Sequence, residues 1–159
     1  GETRVLIPSP RDVATYDEKP QMSAFELAET ACEKIKSNEF QFVLLNFANM
    51  DMVGHTGILE AAIKGCETVD KCAQKVVKAI WETGGVALVT ADHGNSEQMV
   101  ADDGSPHTAH TLNPVRLILA GNKYKNISMK DGILGDIAPT LLKILNIEQP
   151  DEMTGRSLI

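Results

Sequence analysis

The chain has 159 residues, about one domain's length, and 43% of them are hydrophobic, enough for a buried core. No apolar run approaches the ~20 residues that a membrane-spanning helix needs. The net charge of −7, from 22 acidic and 15 basic residues, comes without a Lys/Arg cluster and would repel a phosphate backbone, so neither nucleic acid nor membrane is an expected partner.

In chain order, Pro8, Pro10 and Pro20 punctuate the first stretch. Each fixes its own φ and pushes its predecessor out of the helical region, which predicts a lead-in loop or linker over residues 1–20. Ser23 followed by Glu26 has capping-box spacing and predicts a helix through AFELAETACEKIKSN. QFVLLNF (41–47) is a short apolar run of the buried parallel-strand kind, ending in the polar, glycine-containing ANMDMVGHTG. Leu59, Ile63, Cys66, Val69, Ala73, Val76 and Ile80 then recur every three or four residues. That spacing predicts an amphipathic helix, closed by Gly84-Gly85, with its stripe in the core.

A second strand, VALVTA (86–91), delivers Asp92 and His93. SEQMVADDGSPHTAHT reads as a long loop, VRLILA (115–120) as a third strand, and GDIAPTLLKILNI as a last helix with Asp136 as N-cap and Pro139 in the first turn. Strands alternating with helices imply an α/β fold, a mainly parallel sheet covered on both faces. Cys32, Cys66 and Cys72 form no CxxC pair and read as reduced thiols of an intracellular protein. The chain opens GETRVLIPSP, without an initiator methionine or signal peptide, as a processed chain or a piece of a longer one would.

In open α/β sheets, ligands bind beyond the carboxyl ends of the strands, and there the unusual residues collect. The first strand leads to Asp51 and His55, the second to Asp92 and His93, and the loop before the third holds His107 and His110. Asp51 with His55 could make an ordinary turn hydrogen bond, and a lone loop histidine is more often solvated than a ligand. Their coincidence at one sheet edge supplies enough ligands for one complete metal site or most of two. Without cysteine in the set, a thiolate zinc site is disfavoured and a catalytic divalent ion suits it. Gly54, Gly57 and Gly94 let the backbone turn close to such a site.

DMVGHTG (51–57), TADHGN (90–95) and HTAHT (107–111) resemble the metal-binding motifs of the cofactor-independent (2,3-bisphosphoglycerate-independent) phosphoglycerate mutases, members of the alkaline phosphatase superfamily. SPRDVATYDEKPQMSA, GILGDIAPTLL and EMTGRSL extend the resemblance over essentially the whole chain. It implies a three-layer α/β/α fold, with residues 21–159 as the C-terminal portion of the metal-binding phosphatase domain. It also implies two Mn²⁺ ions (Co²⁺ and Zn²⁺ suit the same ligands), one at Asp51, His55 and His110, the second at Asp92 and His93. The family reaction interconverts 3-phosphoglycerate and 2-phosphoglycerate through a phosphoserine, in cytoplasmic glycolysis. The family's nucleophilic serine and its substrate domain have no counterpart here, so the chain by itself is expected to lack activity and to need the remainder of a parent chain. Ser96 is expected to be a helix-capping or solvent-facing hydroxyl rather than a nucleophile, and His107 not to be a ligand. Another metal-dependent phosphohydrolase or phosphomutase of the superfamily, or a non-catalytic metal-binding module, are the alternatives.

Overall fold

The computed structural model describes residues Gly1–Ile159, which form two compact units, Gly1–Asn122 and Lys123–Ile159. In the first, helix α1 (Ala24–Lys36) begins at Ser23 as the spacing predicts, but without the capping box. The Ser23 hydroxyl donates instead to the Pro8 carbonyl at 2.7 Å, tying the proline-rich lead-in to the helix start. Residues 1–20 contain no helix or strand.

α1 packs against α3 (Leu59–Glu82). Ala24, Ala28, Ala31 and Cys32 of one helix meet Cys72, Val76 and Ala79 of the other, with Leu45 and Phe47 packed at the margin. Small side chains let the two backbones approach closely, so the buried area is spread over alanines rather than large residues. The expected stripe of α3 holds at Val76 and at Ile80, which packs against the core, and is corrected in the first half of the helix. Leu59, Ile63 and Cys66 are exposed, while Ala61, Ala62, Gly65, Cys72, Val76 and Ala79 are buried. Periodicity weights a face by its large apolar groups; a close helix pair selects the face that lacks them. Burial pushes the Cys32 and Cys72 thiols upward in pKa, and all three cysteines are free.

α3 ends as its glycines predict. The N–H of Gly84, in the left-handed region at φ +77°, donates to the Trp81 carbonyl, and that of Gly85 donates to the Ile80 carbonyl at 2.8 Å. This doubly bonded close satisfies carbonyls that a helix end would otherwise leave open.

The sheet departs from expectation. β1 (Ala87–Val89) pairs with β2 (Ile118–Ala120), antiparallel, in the register Ala87↔Ala120, Leu88↔Leu119, Val89↔Ile118. No other strand joins them. Residues 41–47 form no strand, and Phe42, Val43 and Leu44 are exposed. A buried parallel strand needs a hydrogen-bonding neighbour on its edge, and no segment of this chain supplies one. An apolar run along the sequence marks a segment able to be a strand but not its pairing partner, so a layered parallel sheet does not appear.

In the second unit, a 3₁₀ turn (Leu134–Asp136) leads into α4 (Ile137–Leu145), with Pro139 in its first turn as predicted. Asp136 occupies the cap position, but its carboxylate does not cap α4. It accepts the backbone N–H groups of Ile133, at 3.0 Å, and Arg156, at 2.8 Å. The fully buried Thr140 hydroxyl donates to the Asp136 carbonyl at 2.7 Å and accepts the Leu158 N–H at 3.0 Å. GILGDIAPTLL and EMTGRSL therefore hold each other. No helix of the chain is long and apolar enough to cross a membrane.

Candidate metal centre

The ANMDMVGHTG segment is a helix rather than a loop over its middle: α2 spans Asn49–Gly54. The His55 N–H donates to the Asp51 carbonyl at 3.1 Å, closing the turn, so the i, i+4 pair lies on one face. The second segment, residues 92–97, follows β1 and is latched to α2. Asn95, buried, donates through Nδ2 to Asp51 Oδ1 at 3.3 Å, and the Ser96 hydroxyl donates to the Met50 carbonyl at 2.6 Å. Ser96 is thus neither a helix cap nor solvent-facing, because the carbonyl on the facing side of α2 takes it. A Cβ on Gly54 would lie 1.9 Å from Asn95 Oδ1, so this latch requires glycine there.

The expected long loop is a tight excursion. Val100 bridges Pro106, Asp103 accepts the Ser105 N–H, and the His107 N–H donates to the Met99 carbonyl at 2.9 Å. The chain is thereby returned so that the Thr111 N–H donates to the Gly94 carbonyl at 2.8 Å. That bond sets the two histidine-bearing loops side by side.

Four side chains converge as a result. The Nε2 atoms of His110 and His55 lie 2.9 and 3.0 Å from Asp51 Oδ1, and that of His93 lies 3.8 Å away. His55 and His110 approach to 3.1 Å through their Nε2 atoms, and the His93 and His110 rings stack with centroids 3.7 Å apart. Ligand atoms of Asp51, His93 and His110 all lie within 4.8 Å of one another.

The donor chemistry fits a cation. His55 Nδ1 is 2.6 Å from the Thr108 carbonyl, which can only accept, so Nδ1 carries a hydrogen and Nε2 is the ring nitrogen turned toward Asp51. His93 Nδ1 makes the same kind of contact to the Gly94 carbonyl at 3.3 Å. The Nε2 atoms of three imidazoles and one carboxylate oxygen thus face a shared space. A divalent ion with nitrogen and oxygen ligands satisfies such a set.

Of the residues singled out in the sequence, Asp51, His55, His93 and His110 come together. Asp92 does not join them: its side chain is 89% exposed and its Oδ1 lies 3.7 Å from His93 Nε2. His107 also stays outside the cluster, half-buried, with Nδ1 shielded from solvent and unpartnered.

Sequence reasoning missed Asn95, the Thr108 carbonyl and Glu97. The Glu97 carboxylate accepts the Asn95 N–H, the Thr111 hydroxyl and the Asn113 amide. These bonds, the Thr111 hydroxyl's foremost, hold its pKa down at about 2. The signal was present in Asn95-Ser96-Glu97: polar side chains just past a glycine turn readily bond nearby backbone.

Residues 1–149 match the model of the Metalloenzyme superfamily. The 2,3-bisphosphoglycerate-independent phosphoglycerate mutase 1 of Methanosarcina acetivorans is 56% identical over 160 residues, covering 100% of this chain and 31% of that protein. The 2,3-bisphosphoglycerate-independent phosphoglycerate mutase of Clostridioides difficile is 55% identical over 161 residues, again with 100% of this chain and 31% of that protein covered. Among solved structures, Leishmania mexicana phosphoglycerate mutase at low cobalt concentration superposes with a TM-score of 0.85 at 36% identity, over 96% of this chain and 30% of that one. The chain thus spans under a third of the length of each of these relatives.

Proposed function

Since the chain belongs to the Metalloenzyme superfamily, we propose that it is the metal-binding part of a cofactor-independent phosphoglycerate mutase, an enzyme interconverting 3-phosphoglycerate and 2-phosphoglycerate. The observation that carries this reading is the convergence of His55, His93 and His110 on one oxygen of Asp51. In this reading Asp51, His55 and His110 hold one Mn²⁺ and Asp92 with His93 holds a second, with Co²⁺ or Zn²⁺ as substitutes. Bound divalent ions would polarise a phosphoryl group and stabilise the charge that develops during its transfer.

The chain's own residues prepare that site. Asn95 holds the Asp51 carboxylate in orientation, and Thr108 fixes the His55 tautomer. The α2 latch, through Ser96, keeps the second loop against the first. The Ser96 hydroxyl donates to the Met50 carbonyl, which is no base for its proton, and this supports a role in the latch rather than as a nucleophile. The phosphoserine and the substrate domain would then come from the remainder of the parent chain. In that parent, residues 1–20 are the lead-in, and residues 21–159 complete the phosphatase domain. The unpaired 41–47 segment is then a strand of a layered parallel sheet whose neighbours lie elsewhere in the parent. The assembled enzyme would work in the cytoplasm.

An assay of the full-length gene product, stripped of metal and reloaded with Mn²⁺, tests this against 3-phosphoglycerate and generic phosphate esters. Metal-dependent formation of 2-phosphoglycerate, lost in His110→Ala, is expected. Ester hydrolysis without 2-phosphoglycerate would replace the mutase by another phosphohydrolase of the superfamily. Metal binding with turnover of neither would leave a metal-binding module.

A further inference from the structure

We propose that Glu97 is a positioning residue that sets the spacing between His93 and His110 and so tunes the metal affinity of the cluster. The inference rests on the metal-centre reading above. His93 and His110 come from different loops, and nothing in either loop alone fixes how far apart their rings stand. Glu97 spans the gap. One carboxylate oxygen accepts the Asn95 N–H at 2.6 Å, two residues beyond His93. The other accepts the Thr111 hydroxyl, next to His110, and the Asn113 amide at 2.9 Å. Between these anchors the Thr111 N–H meets the Gly94 carbonyl, and a Cβ on Gly94 would lie 2.1 Å from Thr111 Oγ1. The loops are therefore drawn together at the residues adjoining the two stacked imidazoles, 3.7 Å apart.

The chemistry of the clamp demands a carboxylate. All three groups facing Glu97 donate hydrogens, and an ionised carboxylate offers acceptors only. A glutamine of the same shape would turn its own N–H₂ toward one of them and break one anchor. Glu97 is exposed, so a merely solvated surface glutamate would be free in water rather than bonded to two separate loops. It touches none of the clustered side chains and acts through the backbone that carries them. Partners bonded directly to ligating side chains are worth about 10–100-fold in metal affinity, the scale against which this tie through the backbone is set.

The test uses the full chain, with Co²⁺ as probe. Affinity is read by titration of its visible ligand-field absorption, and the melting midpoint is measured without metal. Glu97→Gln is expected to bind Co²⁺ about 10–100-fold more weakly, with an altered band at saturation and a nearly unchanged metal-free midpoint. Asn113→Ala, which removes one donor and leaves the carboxylate, should show a smaller change in the same direction and decides the matter if Glu97→Gln does not fold. Wild-type affinity and spectrum in the folded variants would overturn the role of Glu97 while the metal centre stood. A lower midpoint with an unchanged saturated spectrum would reduce Glu97 to a structural tie and overturn it equally. A wild-type chain that binds no Co²⁺ would remove the metal centre itself, a result distinguishable because it needs no variant.

Discussion

Asp136 shows how a single side chain of this protein can bind two sequence segments together. Its carboxylate collects the N–H groups of Arg156 and Ile133, the first bond contributing most, and its pKa is held below the ordinary value of 3.8. A carboxyl whose folded pKa is depressed favours the fold while it is ionised. Its contribution is complete above the unfolded value and drains away as the pH falls through the lower folded value. The Lys123–Ile159 unit should therefore lose stability on acidification below about pH 4, in the range where carboxyls protonate. Asp136→Asn should be less stable near neutrality, because one of the two N–H groups then faces an amide N–H₂. It should also show a flatter acid limb. Urea unfolding midpoints of both proteins at neutral and acid pH check the pair of expectations, and parallel acid limbs would contradict them. The sequence marked Asp136 as a helix cap; it did not reveal that the carboxylate is spent on a segment twenty residues further on. Local spacing registers partners within a turn, and this partner is long-range.

Among the elements, the helices were the most legible. The Ser23-to-Glu26 spacing located α1, and the apolar spacing with the Gly84-Gly85 close located α3, each within a residue or two of where it stands, although the capping box itself does not form. Which face α3 buries was less legible, since large residues dominate a periodicity while small ones dominate a close helix contact. That contact is itself testable. Ala28 is 1% exposed and faces α3 within a cluster of alanines, two cysteines and Val76. Ala28→Leu would force the volume of three extra carbon atoms into the contact, an overpacking on the order of 1–3 kcal/mol of destabilisation. Chemical denaturation should show it, whereas Ile63→Ala, on the exposed face, should change stability little. The strands were legible as apolar runs but not as partners. β1 and β2 pair antiparallel, and the run at 41–47 stays unpaired, because hydrogen-bonded neighbours are a property of the assembled sheet and not of the run.

At the scale of the whole chain, what matters is that segments 51–55, 92–97 and 107–113, far apart in sequence, meet around one carboxylate oxygen. Asp51, His55, Asp92, His93, His107 and His110 stood out in the sequence because they fell at predicted strand ends, and four of the six meet around Asp51. The means of their meeting were not legible: the helical turn at α2 replaced an expected loop, the Asn95 and Ser96 latch crosses more than forty residues, and the Glu97 tie joins two loops about fifteen residues apart. The division of ligands between two ions rests on the proposed function, with Asp92 exposed beside His93. The convergence itself is the central claim, and calorimetric titration of Mn²⁺ into the metal-stripped chain, alongside Asp51→Asn, tests it most directly. Saturable binding to the wild type, abolished or weakened at least about tenfold in the variant, is the predicted result. No binding to the wild type, or equal binding by Asp51→Asn, would mean that these side chains meet for reasons other than holding a metal.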